Sequence, residues 1–328
     1  DGIMLLADDS GTENNFPAKV PSTVEEYLAA FNGGKMEFSI TSEEDFISVQ
    51  NLCALPEVNG FEGVKLTITS SPSGDGTMWD ITGIEGFTGI GTVENPFKGT
   101  LMCGYPNGSV RFYTNKPIVA YLGDGGKITQ MDIACETDSD GNAPVAAVAG
   151  NINGNVTIED VWIRGTIGNG TDTVGAIAGN IDADSKVDII AVKVPDGATL
   201  TVSGAIVGGI AGTAGSNVII NMDDDVSIGT SGNEIALTGT KAVGGFFGIA
   251  TGNHSWELTN SYTYKATTDD DGNTTTDVEP NKLVVTIKGT DSACYMGQFA
   301  GKLQSDASGG TLTITGGNMI EVNFTTST

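Results

Sequence analysis

The chain has 328 residues, of which 39% are hydrophobic, and 41 acidic against 15 basic side chains give it a formal net charge of −26. This length and hydrophobic content allow a buried core and argue against a disordered chain. The negative charge argues against nucleic acid as a partner, because the chain and a phosphate backbone repel each other.

Two segments near the N-terminus carry the signature of helix starts. "STVEEYLAAF" from Ser22 and "TSEEDFISVQNLCAL" from Thr41 each open with a Ser/Thr cap followed by glutamates in the first turn. Between them, "KMEFSI" is strand-like. We predict that residues 1–58 form an N-terminal extension and capping segment with two short helices, which covers the end of the structure that follows.

A short apolar segment ending in glycine recurs six times in the rest of the chain. The segments are "IVAYLG" from 118, "VAAVAG" from 145, "VGAIAG" from 174, "VGGIAG" from 207, "VGGFFG" from 243 and "MGQFAG" from 296. Repeats at intervals of this size are typical of solenoids, whose units stack to bury their apolar faces. We expect the small residues inside each segment to let sheets approach closely and the final glycine to adopt a positive φ at a corner.

A strand-like segment follows each of the first five repeats, after a short polar loop. The segments are "ITQMDIAC" from 128, "VTIEDVWI" from 156, "VDIIAVKV" from 187, "VIINMDDDVSI" from 218 and "WELTNSYT" from 256. Offsets 0 and 2 are apolar except at Gln130, and offsets 5 and 7 are apolar in the first three, so each segment reads as two short strands separated by a corner. We predict an all-β fold, a right-handed parallel β-helix over residues 59–328 with a small N-terminal α/β cap.

Two stretches need a separate interpretation. Residues 198–222 carry no charge, but they are rich in Gly, Ser, Thr and β-branched residues and contain one of the repeats, so we predict coil strands and no membrane insertion. Residues 265–279 are rich in Thr and Asp and account for the longest repeat interval. We expect a mobile polar loop extruded from one corner.

The repeats, together with "FEGVKLTITS" from Phe61 and "IGTVENPFKGTLMCG" from Ile90, resemble bacterial surface proteins with the GLUG motif, whose repeats look like V-G-G-L-V-G. The resemblance covers about residues 61–301. This chain departs from the motif by placing Ala or Phe at the fifth position, and "IVAYLG" and "MGQFAG" match it loosely. The resemblance implies a parallel β-helix on a secreted or wall-associated protein, an adhesin or the stalk of a larger enzyme, and it supplies no catalytic residue.

Candidate metal ligands are few. The four cysteines (Cys53, Cys103, Cys135 and Cys294) form no C-x-x-C pair; Cys135 lies in an apolar run and is expected to pack as a small hydrophobe, while a disulfide among the others stays open. "ETDSDGN" places Glu136, Asp138 and Asp140 at alternate positions before a glycine, as a calcium loop opens, but the expected glutamate at loop position 12 falls on Ala147. A solvated turn is the favoured interpretation, these three residues are the candidate Ca²⁺ ligands, and no other cofactor is predicted.

Acid–base catalysis was tested by aligning carboxylates. The ninth residues after the repeat glycines form an apparent ladder: Asp132, Glu159, Asp188, Asn221 and Glu257. Alignment on the strand starts instead lines up Asp132, Asp160, Ala191, Met222 and Asn260. We prefer the second alignment, because buried apolar positions fix register. His254 is the single histidine, which argues against a Ser-His-Asp arrangement.

Exposed aromatic residues are the remaining candidates for a binding site. Offset 6 of the strand-like segments, which should point outward, holds Ala134, Trp162, Lys193, Asp224 and Tyr262. Trp162 and Tyr262 could stack on sugar rings or on a protein, although several coils separate them. The leading hypothesis is a non-catalytic secreted or cell-surface module that acts in adhesion or as a stalk, with a host or microbial glycan or a surface protein as its partner. The alternative is a carbohydrate-active β-helix enzyme, a polysaccharide lyase or a glycoside hydrolase.

Overall fold

The computed structural model describes residues 17–69, 78–104, 111–222, 235–258, 262–268, 274–280, 282–289, 294–297, 299–306, 312–316 and 319–326. The helices in this part of the chain are α1 (Val24–Asn32), α2 (Glu43–Cys53) and a 3₁₀ helix (Pro56–Phe61). Thr23 caps α1 by accepting a hydrogen bond from the Glu26 amide at 3.3 Å. Both predicted N-terminal helices are therefore confirmed.

The described part of the chain is otherwise built from short strands. In chain order they are β1 (Glu37–Ile40), β2 (Lys65–Ile68), β3 (Met78–Asp80), β4 (Thr100–Cys103), β5 (Arg111–Thr114), β6 (Val119–Leu122), β7 (Lys127–Cys135), β8 (Ala149–Ile152), β9 (Asn155–Ile167), β10 (Thr173–Gly175), β11 (Ala178–Ile181), β12 (Lys186–Ile190), β13 (Leu200–Gly208), β14 (Ala211–Ala214), β15 (Val218–Met222), β16 (Ile235–Gly244), β17 (Phe247–Thr251), β18 (His254–Leu258), β19 (Tyr262–Thr268), β20 (Thr274–Pro280), β21 (Lys282–Gly289), β22 (Tyr295–Gly297), β23 (Ala300–Gln304), β24 (Leu312–Gly316) and β25 (Met319–Thr326).

The six repeats stack on one another. Strands β6, β8, β11, β14, β17 and β23 form one parallel sheet in that order. Strand β6 lies within the first repeat, and each later strand begins at the fifth residue of its repeat. The fold is a parallel β-solenoid of about five turns, as the repeat predicts. Five of the repeats share one register, in which Ala149, Ala178, Ala211, Phe247 and Ala300 are level.

The first repeat is stacked in a different register. Val119, the second residue of "IVAYLG", is level with Ala149, the fifth residue of its own repeat. The segment is therefore shifted by three residues, and Ala120 takes the place of the stacked glycine. Ile118 and Val148 are both fully buried, so the shifted segment still presents an aliphatic side chain to the core.

A second large sheet wraps around the remaining faces of the column. Its longer strands bend at corners, and residues with positive φ stand there: Gln130, Asp160 and Ala191. Because Thr129 pairs with Glu159 and Met131 with Val161, Gln130 and Asp160 lie at the same level of the corner. The predicted corner is confirmed in the first three segments, and in the first of them it lies at the polar exception, Gln130.

The final glycine of each repeat has a role other than the expected one. None of Gly123, Gly150, Gly179, Gly212, Gly248 and Gly301 has a positive φ, so the expectation of a corner conformation was wrong. From the second repeat onward, these glycines lie inside strands and face the backbone of the preceding coil. A Cβ on Gly179 would come within 2.7 Å of the Gly150 carbonyl oxygen, and a Cβ on Gly248 within 2.7 Å of the Gly212 carbonyl oxygen. Close contact between stacked backbones therefore requires glycine at this position.

One hydrophobic core runs through the described part of the chain, from the N-terminal helices into the coils. Strand β1 pairs in parallel with β2 and so forms the first level of the larger sheet, while the Val20 amide donates to the Ser39 carbonyl at 2.9 Å. Tyr27 of α1 packs edge-on against Phe61 with ring centroids 5.2 Å apart. The helices thus share the core of the column, and their role as a cap stays a prediction. The division at residue 58 stays a prediction.

The polar insertion has regular structure where it is described. Strands β19 and β20 form a separate antiparallel pair, from Tyr262 opposite Pro280 to Thr268 opposite Thr274. These residues form a hairpin within the insertion, since alternating Thr and Tyr favour strands, and the mobility of the insertion stays a prediction. Residues 269–273 lie outside the described residues.

The uncharged stretch 198–222 forms coil strands, as predicted. It contributes β13, β14 and β15 to the two large sheets. Among the helices of the described residues, none has the length and apolar run needed to cross a bilayer.

Candidate functional site

The most distinctive outward surface lies where β5, β7 and β9 run side by side. In β9, Val161 and Ile163 point into the core, so the alternating residues Trp162 and Arg164 point outward. Pairing places Arg111, Asp132, Trp162 and Lys193 in one row across four neighbouring levels. We call Arg111, Asp132, Trp162, Arg164 and Lys193 the arginine–tryptophan patch.

Asp132 is the anchor of this patch. Its side chain faces outward, yet the residue is only 3% exposed because two guanidinium groups cover it. Arg164 donates from Nε to Oδ1 at 2.9 Å and from Nη2 to Oδ2 at 2.6 Å, in the paired geometry that arginine favours with carboxylates. Arg111 donates from Nε to Oδ2 at 3.1 Å. Both arginines of the chain therefore bind the same carboxylate.

Arg111 is held from a second side. A hydrogen bond between its guanidinium and the side chain of Tyr113 raises the pKa of Arg111, and the Asp132 carboxylate adds to the increase. Arg111 therefore stays fully charged at any physiological pH. The carboxylate fixes the positions of both arginines, so they have little freedom left to lose when a ligand binds.

Trp162 is the large aromatic side chain at the centre of the row. It is 38% exposed, and its indole N–H has no acceptor among the described residues. Lys193 follows on the next level, about 4.8 Å away along the row. Within the described part of the chain, its ammonium group forms no ion pair.

The patch combines an apolar ring with positive charge. Three cationic groups stand against one carboxylate, in a chain whose formal net charge is −26. The row of four levels spans about 14 Å, and Arg164 lies about 7 Å along the strand from Trp162. Such a surface can stack on a flat or apolar ligand face and donate hydrogen bonds to an anion beside it. Both oxygens of Asp132 accept hydrogen bonds from the arginines, so this carboxylate holds the two guanidinium groups in place.

The predicted outward line is partly confirmed. Trp162 and Lys193 are level with each other as expected, whereas Ala134 is level with Arg164, two residues further along. Tyr262 opens β19 in the hairpin, so its strand does not pair with β9. Its side chain and Asp224 lie outside the described residues. The binding roles of Trp162 and Tyr262 stay predictions.

The candidate calcium loop is ordered by one carboxylate. Oδ1 of Asp138 accepts from the amides of Asp140 at 2.9 Å and Asn142 at 2.8 Å, while Oδ2 accepts from the side chains of Asn142 and Asn115. The side-chain hydrogen bond from Asn142 is the largest of these influences, which together lower the pKa of Asp138 to about 2. No group of three or more His, Cys, Asp or Glu suited to a metal occurs among the described residues, Glu136 and Asp140 included. Asp138 therefore has a structural role in the turn, and calcium binding stays a prediction.

The carboxylate ladder exists in part. Asp188, Asn221 and Glu257 are level with one another, as the alignment on the repeat glycines indicates. The preferred alignment on the strand starts was wrong for these three positions, because Val218 is level with His254 and two residues away from Val187. The Asn221 side chain donates to Asp188 Oδ1 at 2.7 Å, and Lys186 pairs with the same carboxylate at 3.1 Å. Asp188 is thus held by an amide and a lysine.

Nucleophilic chemistry finds little support in the described residues. His254 is 4% exposed and packs against Phe247, and burial lowers the pKa of its imidazole, so the ring is neutral at pH 7. Cys53, Cys103 and Cys135 are buried, Cys294 is half-buried, and none of the four forms a disulfide among the described residues. Burial raises the pKa of Cys53 to about 12 and also raises that of Cys135, which packs in the core as expected.

An open groove of about 460 Å³ lies on the N-terminal segment. Tyr27, Phe31, Glu57, Asn59 and Glu62 are among its lining residues. Burial raises the pKa of Tyr27 to about 12, so its phenol stays neutral. The two glutamates give this groove the same charge sign as the whole chain, in contrast to the arginine–tryptophan patch.

The chain matches no protein-family model, no curated protein and no solved structure. The resemblance to GLUG proteins therefore stays a prediction from the repeats. Of the patch, sequence reasoning found Trp162 but not Arg111 and Arg164 as its partners. The sequence does point to Arg164, because it is one of two arginines in the chain and lies two residues after Trp162, on the same face of the strand.

Proposed function

We propose that this chain is a non-catalytic β-solenoid module of a secreted or cell-surface bacterial protein, which acts in adhesion through the arginine–tryptophan patch. The observation that carries the proposal is an exposed indole, 38% accessible, among cationic groups that a buried carboxylate holds in place. The resemblance of the repeats to GLUG proteins supports a bacterial and extracellular setting.

Adhesion suits the form of the surface. The patch lies on the side of a stacked column, where side chains from neighbouring coils keep fixed spacings of about 4.8 Å. A rigid, preorganised surface loses little entropy on binding, so a modest contact area is sufficient for recognition. Two carboxylates of these coils already have partners: Asp132 binds the arginines, and Asp188 binds Lys186 and Asn221.

A glycan array with a parallel turnover assay tests this function. We expect the protein to bind a subset of polysaccharides, and Trp162→Ala to lose the signal at least about 10-fold, since one stacked aromatic contributes about 1.4 kcal/mol or more. The matched control is Tyr295→Ala, which removes another exposed aromatic, 56% accessible, whose ring lies 5.2 Å from Lys302 Nζ.

Three outcomes of this experiment are informative. Loss of binding in Trp162→Ala but not in Tyr295→Ala supports the proposal. Equal binding by both variants removes the patch from the function. Release of shorter or unsaturated sugars by the wild-type protein overturns the non-catalytic assignment in favour of a carbohydrate-active enzyme.

A further inference from the structure

The net charge of the arginine–tryptophan patch has the opposite sign to the net charge of the whole chain. Arg111, Arg164 and Lys193 exceed Asp132 by two positive charges, while the whole chain carries −26. At physiological ionic strength the screening length is about 8 Å, which is shorter than the row of about 14 Å. A ligand seated on Trp162 is therefore influenced mainly by charges within about 8 Å, which are those of the patch and of the exposed Asp160, two residues away in β9.

The guanidinium groups retain donors for a ligand. Two guanidiniums carry about ten N–H donors, and the bonds to Asp132 use three of them. The side chain of Arg111 is 36% exposed and that of Arg164 is 21% exposed, so part of each group reaches solvent. Since Asp132 already fixes both groups, the remaining donors are preorganised for a second anion.

Lys193 adds a cation without a partner. Its ammonium group forms no ion pair in the part of the chain that the structure describes, and it is level with Trp162. The indole is thus flanked by Lys193 along the row and by Arg164 along the strand. A ligand that covers the ring places its substituents near one or both of these cations.

We infer that the patch binds a carboxylated sugar chain, with an apolar ring face on Trp162 and the carboxylate on Arg164 and Lys193. This inference rests on the proposed function and specifies its ligand. A neutral sugar would offer no anion to the cations of the patch. An extended acidic peptide would offer anions, but no ring that stacks on the single indole. A carboxylated sugar satisfies both, because one residue carries an apolar face and a carboxylate a few bonds apart.

Isothermal titration calorimetry with a short oligogalacturonate tests the inference, and the same oligosaccharide with its carboxyl groups reduced to alcohols serves as the neutral probe. We expect the acidic form to bind at least about 10-fold more tightly, because hydrogen bonds between charged groups are stronger than those between neutral groups. Its affinity should also fall several-fold between low salt and 0.5 M NaCl.

Variants separate the two parts of the contact. Trp162→Ala should weaken both probes, while Lys193→Ala should weaken the acidic probe several-fold and leave the neutral probe unchanged. Lys302→Ala and Tyr295→Ala form the control pair, because that lysine and that ring contact each other away from the patch. Both controls should bind like the wild type.

The possible failures are distinguishable. Equal affinity for the two probes, with both lost in Trp162→Ala, overturns the carboxylate assignment but leaves the adhesion module standing. Binding of poly-glutamate in place of either sugar overturns the sugar assignment. Unchanged binding in Trp162→Ala and Lys193→Ala overturns the inference and the proposed site together.

Discussion

Single side chains in this protein are often fixed by hydrogen bonds between coils. Asp132 joins Arg111 from the preceding level and Arg164 from the following level. Asn217 donates to Asp184 at 2.8 Å, and the amide of Asn155 donates to Asp124 at 2.8 Å. Most of these carboxylates have amide or backbone partners, so a chain rich in acidic residues can stack coils without placing bare carboxylates against each other.

Asp138 allows a direct test of such a role. Its pKa is lowered to about 2, first by the side chain of Asn142, so the ionised form is favoured in the folded state. A lowered pKa stabilises the fold above the ordinary value of 3.8, and this contribution is lost as the pH falls from that value through about 2. We expect carboxyl NMR to show Asp138 titrating near pH 2.

A variant supplies the comparison for that titration. Asn142→Ala removes the side-chain donor that has the largest influence on the pKa of Asp138, so the Asp138 midpoint should move up toward 3.8. Asn169→Ala is the control and should leave the Asp138 midpoint unchanged, because the Asn169 side chain accepts a hydrogen bond from Thr171 in a different turn. An Asp138 midpoint near 3.8 in the wild type would contradict the structural role of this carboxylate.

The stacked strands depend on glycine for their spacing. From β8 to β23, each repeat places a glycine against the backbone of the preceding coil, and a methyl group there would approach carbonyl oxygens or amides more closely than van der Waals contact allows. At Gly212 the added Cβ would lie 2.7 Å from the Val174 nitrogen and 2.9 Å from the Gly179 oxygen. Neither neighbour is a flexible side chain, so the strand itself has to move.

Gly212→Ala should therefore destabilise the protein by about 1–3 kcal/mol, the usual cost of overpacking. Urea unfolding followed by circular dichroism measures this change in the free energy of unfolding. Gly83→Ala is the control, since Gly83 lies in a turn without a positive φ and has no heavy atom within 4 Å of the added Cβ. A Gly212→Ala variant as stable as Gly83→Ala would show that the coils are less tightly stacked.

Strand register is a feature that the alternating sequence pattern does not determine. Val156 and Val187 are level as the pattern indicates, but Ile128 is level with Ile158, two residues further along. A shift of two residues keeps every side chain on its face, so alternating apolar residues cannot detect it. The polar residue at Gln130 marked the true corner, and it was treated as an exception.

At the scale of the whole molecule, the coil architecture was predictable and the binding surface was only partly so. Six similar apolar segments need a common buried face, which leaves few folds other than a stack. Arg111 lies in β5, outside the repeats, and its position beside Asp132 depends on long-range pairing that no local pattern encodes. Trp162 was recognisable because its place in an alternating strand predicts exposure.

The hairpin of β19 and β20 should be dispensable for folding. Its strands pair only with each other in the part of the chain that the structure describes. Replacing residues 263–279 by Asn-Gly should change the melting temperature by no more than about 2 °C, because surface insertions of this kind are well tolerated. Differential scanning calorimetry measures the effect, and binding at Trp162 should persist.

Val243→Asp serves as the positive control, because Val243 is fully buried in the core and a charge there disrupts the stack. If removing the hairpin lowers the melting temperature as much as this substitution, the hairpin is part of the cooperative unit and the interpretation is wrong.

The patch takes its side chains from β5, β7, β9 and the level of Lys193, which follow one another without interruption. Solenoid genes commonly grow or shrink by copying whole units, and the backbone ladder here would accept such an event at most points along the axis. If one extra unit were inserted between these four levels, the distance from the indole to one of its neighbouring cations would increase by about 4.8 Å. Ligand binding therefore limits the insertion of coils between the levels of the patch, whereas folding alone does not limit the number of coils.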